Sequence, residues 1–142
     1  MIKRVFIDSS AWYALRDKDD ANHASAQEML PLLLSERPGL ITSNHIIGES
    51  YTLIRSSLGH ASAFSFLRHI QESPRLERLF TPEEFEKDAY IFLHKYQDQT
   101  FSFVDATSFV WMKKLGLTEV FTFDNHFAVA GFLLLPTIKH RT

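Results

Sequence analysis

Short apolar runs that do not alternate with polar residues are the strongest constraint on this chain. Val5-Phe6-Ile7, Leu40-Ile41 and Val120-Phe121-Thr122-Phe123 are of this kind. A strand with one face in water alternates apolar and polar side chains, whereas a strand covered on both faces does not. Such runs, separated by helical patterns, predict an α/β fold: a central parallel sheet between two layers of helices. The expected strands are residues 2–8, 39–42, 76–80, 119–123 and 132–135, a sheet of about five.

Helices are expected over residues 10–16, 22–36, 44–57, 60–72, 82–96 and 103–115. Pro31 should kink or split the second, because proline removes a backbone donor and crowds the preceding turn. Thr81-Pro82-Glu83-Glu84 reads as a capping box with proline at the first helical position, followed by a stripe of Phe85, Ala89, Phe92 and Tyr96. Gly116 is a natural C-cap. No repeat or linker divides the 142 residues, so residues 1–142 are expected to form a single domain with a real core.

Four acids stand beside apolar sequence: Asp8, Glu49, Asp105 and Asp124. In open α/β sheets ligands bind beyond the carboxyl ends of the strands. Asp8 and Asp124 each follow an expected strand, while Glu49 and Asp105 sit early on helices that start at the same edge. The topology therefore lets all of them converge. Singly, three have ordinary structural readings. Asp8 before Ser9-Ser10 is an N-cap, Asp105 completes a cap with Ser102, and Asp124-Asn125 is a turn. Glu49 is harder to explain so, because Ile46 and Leu53 share its helical face and turn it toward the core edge. A buried salt bridge to Arg16 or Arg55 is the alternative for it. Carboxylates are costly to bury uncompensated, and hard divalent cations with oxygen ligands are a natural compensation.

Composition removes several other classes. With no cysteine, disulfides and thiolate metal sites are excluded. His45 and Glu49 lie four apart, but no His-Glu-x-x-His motif is present, which disfavours zinc. His126 is expected to cap or pack the last loop, or to touch a substrate phosphate. The formal charge of −2 gives no global basic field, so nucleic-acid binding would rest on local residues such as Arg16, Lys18, Arg55, Lys113 and Lys114, or on metal. The early charges Lys3 and Arg4 do not suit a signal peptide, and no apolar stretch approaches the roughly 20 residues of a membrane span. A cytoplasmic protein with no membrane association is expected. The 13 Phe should be mainly core, with the Phe64–Phe66 region and the Phe85/Phe92 stripe as candidates for a dimer or partner surface.

Taken together, Phe6-Ile7-Asp8-Ser9-Ser10-Ala11-Trp12, Glu49-Ser50-Tyr51-Thr52-Leu53, Ser102-Phe103-Val104-Asp105-Ala106 and Phe121-Thr122-Phe123-Asp124-Asn125-His126-Phe127 resemble the PIN-domain ribonucleases, most of all the VapC-type toxins of toxin–antitoxin pairs. The likeness runs from residue 5 to about 135 with order and spacing kept. It implies a three-layer fold and a Mg²⁺ site, with Mn²⁺ as an alternative, held by Asp8, Glu49, Asp105 and Asp124. Ser10 falls where the family often has an auxiliary hydroxyl or amide. The likeness further implies an RNA substrate, a small antitoxin partner and a homodimer. Other readings are an RNA-processing nuclease outside a toxin system and a module that binds RNA or protein without cutting. A phosphatase or phospho-receiver fits less well, because Asp8-Ser9-Ser10 lacks a second Asp and no well-placed Lys marks a receiver.

Overall fold

The computed structural model describes residues 4–137. Five parallel strands form its centre: β1 (Arg4–Ile7), β2 (Gly39–Ser43), β3 (Leu76–Leu79), β4 (Glu119–Phe121) and β5 (Leu133–Leu135), in the order β3-β2-β1-β4-β5. The helices are α1 (Ser9–Arg16), α2 (His23–Glu36), α3 (Asn44–Leu58), α4 (His60–Glu72), α5 (Glu83–Lys95), α6 (Phe103–Leu115) and α7 (His126–Val129). Residues 2 and 3 of the expected first strand, and the ends of the expected 1–142 domain, lie outside the described residues.

Both faces of the central strands β2, β1 and β4 are buried, which is why their sequences do not alternate. Val5 and Ile7 point into one core with Phe121 and residues of α1, α2, α3 and α4. Phe6, between them, points the other way and joins Ile41, Val120, Phe109 and Phe127 in the second core. Burying each such side chain contributes about 1.5–3 kcal/mol. The crossovers place β2 on one side of β1 and β4 on the other. The gap between β1 and β4 is thus the point where the winding reverses and a ligand cleft opens.

Two local expectations need correction, the choice left open at Pro31 is settled against a split, and one short helix adds to the expected set. α2 is one helix, with Pro31 inside it. Gln27, four residues earlier, is exposed, so water can take the carbonyl that lost its donor. The capping box at α5 does not form: Pro82 is the N-cap, without a side-chain cap. Thr81 instead donates its amide (3.0 Å) and hydroxyl (2.8 Å) to Asn44 Oδ1 and accepts from Trp111 Nε1 at 3.0 Å. That ties the end of β3 to α3 and α6. Leu53 is 43% exposed, so the buried face of α3 is Ile46, Ser50 and Ile54, and Glu49 stands at its margin. Finally, α7 is only four residues long, too short for a periodic signal.

Candidate active site

Asp8 leaves β1 at the winding reversal and caps α1, its backbone N–H donating to Phe121 O at 3.0 Å. It is 3% exposed. Its Oδ2 accepts from the Ser10 hydroxyl (2.9 Å), the Thr122 hydroxyl (2.8 Å) and, more weakly, the Ser10 amide (3.4 Å). Ser10 Oγ also accepts from Phe123 N–H at 2.9 Å, and Thr122 Oγ1 from Asp124 N–H at 3.0 Å. These bonds stitch the end of β1 to the loop after β4. Burial drives the Asp8 carboxyl from 3.8 up to about 6; the hydroxyl bonds oppose the rise and the nearby Asp105 charge adds to it.

Ser9 links Asp8 to the third element. Its hydroxyl donates a short hydrogen bond to Glu49 Oε1 on α3 and lies 3.4 Å from Asp8 Oδ1. Glu49 is half-buried and is not engaged by Arg16 or Arg55. Arg16 reaches Ser65 and His69, and Arg55 reaches His60.

Asp105 occupies the third position of α6 in a complete capping box. Its amide donates to Ser102 Oγ and its Oδ2 accepts from Ser102 N–H, both at 3.0 Å. The same Oδ2 lies 2.9 Å from His126 Nδ1. Asp124 Oδ1 accepts from His126 N–H at 2.9 Å and stands 3.4 Å from its Nδ1. Ligand atoms of Asp105, Asp124 and His126 lie within 4.8 Å of one another. Burial raises the Asp105 pKa and the Asp124 charge adds to the rise, while the Ser102 amide and His126 oppose it.

Residues 5–133 match the PIN domain family. The 23S rRNA-specific endonuclease VapC20 of Mycobacterium tuberculosis is 35% identical over 130 residues, which cover 91% of this chain and 95% of that protein. This chain belongs to the PIN-domain family. The crystal structure of M. tuberculosis VapC20, described as a sarcin-ricin loop cleaving toxin, superposes with a TM-score of 0.81 over 90% of this PIN domain and 95% of that chain, at 34% identity. FitAcB from Neisseria gonorrhoeae shares the fold at TM-score 0.61 and 16% identity, over 92% and 95% of the two chains.

The PIN domain brings its four sequence-expected acids to the carboxyl edge of the sheet as two halves, close enough for the Asp105 charge to act on Asp8. Asp8 and Glu49 share Ser9, while Asp105 and Asp124 share His126. The tight three-residue group includes His126 rather than Asp8 or Glu49. His126 stands two residues after Asp124, a spacing visible in the sequence, but its contact with Asp105 needs the fold. Ser9 and Thr122 lie within the quoted motifs, but no role is expected of either. Thr122 is only marked as the one hydroxyl inside the apolar run 120–123.

The donor set fits a hard divalent cation. Carboxylate oxygens dominate it, two of the carboxyls are pushed upward in pKa by burial and mutual repulsion, and a dication would relieve both effects. Asp8, Glu49, Asp105 and Asp124 are the residues that would hold it.

Proposed function

We propose that this PIN domain is a metal-dependent endoribonuclease, the toxin of a toxin–antitoxin pair. Its acids at the carboxyl edge of the sheet would form the catalytic site. The observation that carries this reading is the convergence of Asp8 and Glu49 with Asp105, Asp124 and His126 around the β1–β4 gap.

A divalent cation, Mg²⁺ or Mn²⁺, bound among these oxygens supplies stabilisation of the charge that builds on the phosphate in the transition state. The chain's own part is preorganisation. Thr122 and Ser10 fix Asp8, Ser9 sets the separation of Asp8 and Glu49, and the capping box locks Asp105 on the first turn of α6. That helix terminus adds a positive dipole end beside the carboxylate. With its pKa near 6, Asp8 is fully ionised only above that pH, where it holds a cation best.

The likeness to VapC20 supports a structured ribosomal RNA as substrate. The chain is read as one domain over residues 1–142 that works in the cytoplasm as a homodimer. Among the described residues no helix is long and apolar enough to cross a membrane. A small antitoxin fits as partner, its apolar helix seated in the groove of about 590 Å³ that Trp12, Leu30, Leu34, Phe66, Ile70 and Leu76 line. A cation on that partner, brought near Glu49 and Asp105, would compete with the metal for the same carboxylates.

Incubation of the purified chain with ribosomal RNA and Mg²⁺ or Mn²⁺, against an EDTA control, tests the chemistry. Discrete fragments that vanish with EDTA support the reading, and intact RNA under all conditions overturns it. Growth arrest on expression of the chain alone, relieved by its antitoxin, tests the toxin role. A soluble, RNA-cleaving chain that leaves growth unchanged removes that role and leaves the nuclease.

A further inference from the structure

Beside the acids lies an aromatic group that the carboxylate chemistry does not use. Phe103 opens α6, two residues before Asp105. Its ring meets His45 edge-on at 5.5 Å and 80°, and Tyr90 on α5 at 5.8 Å and 37°. His45 stands four residues before Glu49, one turn away on the same side of α3. Its Nε2 is tied to Glu86 Oε1 at 3.1 Å, which fixes the ring. The two helices that deliver Glu49 and Asp105 to the cleft therefore also deliver His45 and Phe103 to its rim. Tyr90 completes the group and is 59% exposed, so its ring is open to a ligand.

We propose that Tyr90 and Phe103, backed by His45, form a stacking platform for one unpaired base of the RNA next to the cleaved bond. The proposal rests on the ribonuclease reading and names a substrate contact within it. Sequence-selective enzymes that act on RNA engage unpaired bases splayed from loops, and they stack them on aromatic rings. A site built of carboxylates repels phosphate until metal arrives. Affinity independent of charge is therefore needed close by, and base stacking supplies it. His94, four residues after Tyr90 on the same stripe of α5, suits a flanking phosphate, and Lys87, three before it, does so on leaving Glu83, its partner at 3.6 Å. The continuity of this rim with the acids favours a base of the substrate over a protein partner.

The experiment uses a hairpin-loop RNA that wild-type protein cleaves, with 2-aminopurine placed in turn at each loop position near the cut. Binding is read by fluorescence in the Asp8→Asn background and turnover in the active one. Stacking predicts quenching at one position, lost in Tyr90→Ala and kept in Tyr90→Phe. In the active background Tyr90→Ala should raise KM by about ten- to a hundredfold with kcat nearly unchanged, while Tyr90→Leu recovers little and Tyr90→Phe nearly all. A folded Tyr90→Ala protein with wild-type KM and wild-type quenching overturns the platform, and does so while cleavage itself upholds the nuclease. A wild-type chain that cuts no RNA overturns the nuclease instead. The fluorescence titration then decides the platform alone: position-specific quenching that needs the Tyr90 ring upholds it, and no such quenching overturns it.

Discussion

The two halves of the acidic cleft are held by different chemistry. Asp8 and Glu49 are fastened by neutral hydroxyls, those of Ser9, Ser10 and Thr122. Asp105 and Asp124 are fastened by backbone amides and by an imidazole that becomes a cation when protonated. Hydroxyls give direction without charge, so Asp8 keeps most of its desolvation cost and its pKa climbs to about 6. In the second half His126 opposes the rise of Asp105. One half thus lacks any ring between its carboxylates, while in the other an imidazole stands between Asp105 and Asp124.

Removing a carboxylate should have the largest effect. Asp8→Asn or Asp105→Asn should lower kcat about 10²- to 10³-fold with the fold intact, because shape is kept and a charge aimed at the reaction is lost. Circular dichroism and RNA cleavage by the same samples check this. Wild-type rates in either variant would make that residue a structural cap only.

pH separates the halves next. The folded pKa of Asp8 lies above its ordinary value of 3.8. Its stabilising contribution is therefore present below about pH 4 and lost as pH rises through about 6, some 3 kcal/mol in all for the metal-free protein. Denaturant titrations across that range in EDTA should show the loss in wild type, and Asp8→Asn should flatten it. An unchanged slope in the variant would mean that Asp8 is not the source.

Smaller effects sharpen the contrast. His126→Ala should destabilise the metal-free protein by about 1 kcal/mol, since it leaves Asp105 and Asp124 facing each other. Saturating Mn²⁺ should erase that difference in thermal melts, because the ion takes over the same neutralising role. Thr122→Val should cost about 1–2 kcal/mol, because it removes the bond to Asp8 and leaves the Asp124 amide without its acceptor, and Mn²⁺ should not restore it. Equal rescue of both variants by Mn²⁺ would abolish the distinction between the halves.

The fold was legible because burial on both sides of a sheet leaves a mark in sequence, as Val5-Phe6-Ile7 shows. The acids were legible as a set because each ends a strand or begins a helix at one edge. What stayed hidden depended on partners remote in the chain. Thr81 resembled a capping residue until Asn44 and Trp111 claimed its hydroxyl. His126 could be placed near the last loop, yet its bond to Asp105 spans 21 positions. Ser9 and Thr122 are small hydroxyl residues with many local uses, and only the closed sheet chooses one. Leu53 misled the reading of α3 because a margin residue and a buried one share the same spacing.

The Thr122–Asp8 bond joins positions 114 residues apart, and Asp124 stands two residues after Thr122. During synthesis, Asp8 and Glu49 emerge early, while Asp105, Asp124 and the strand that aligns Asp8 come much later. A nascent chain therefore carries only half of its cleft until β4 can slot in beside β1. For the ribonuclease proposed above, this order means that no complete cleft exists until the last strands have been made. Parallel pairing between distant segments is slow to form.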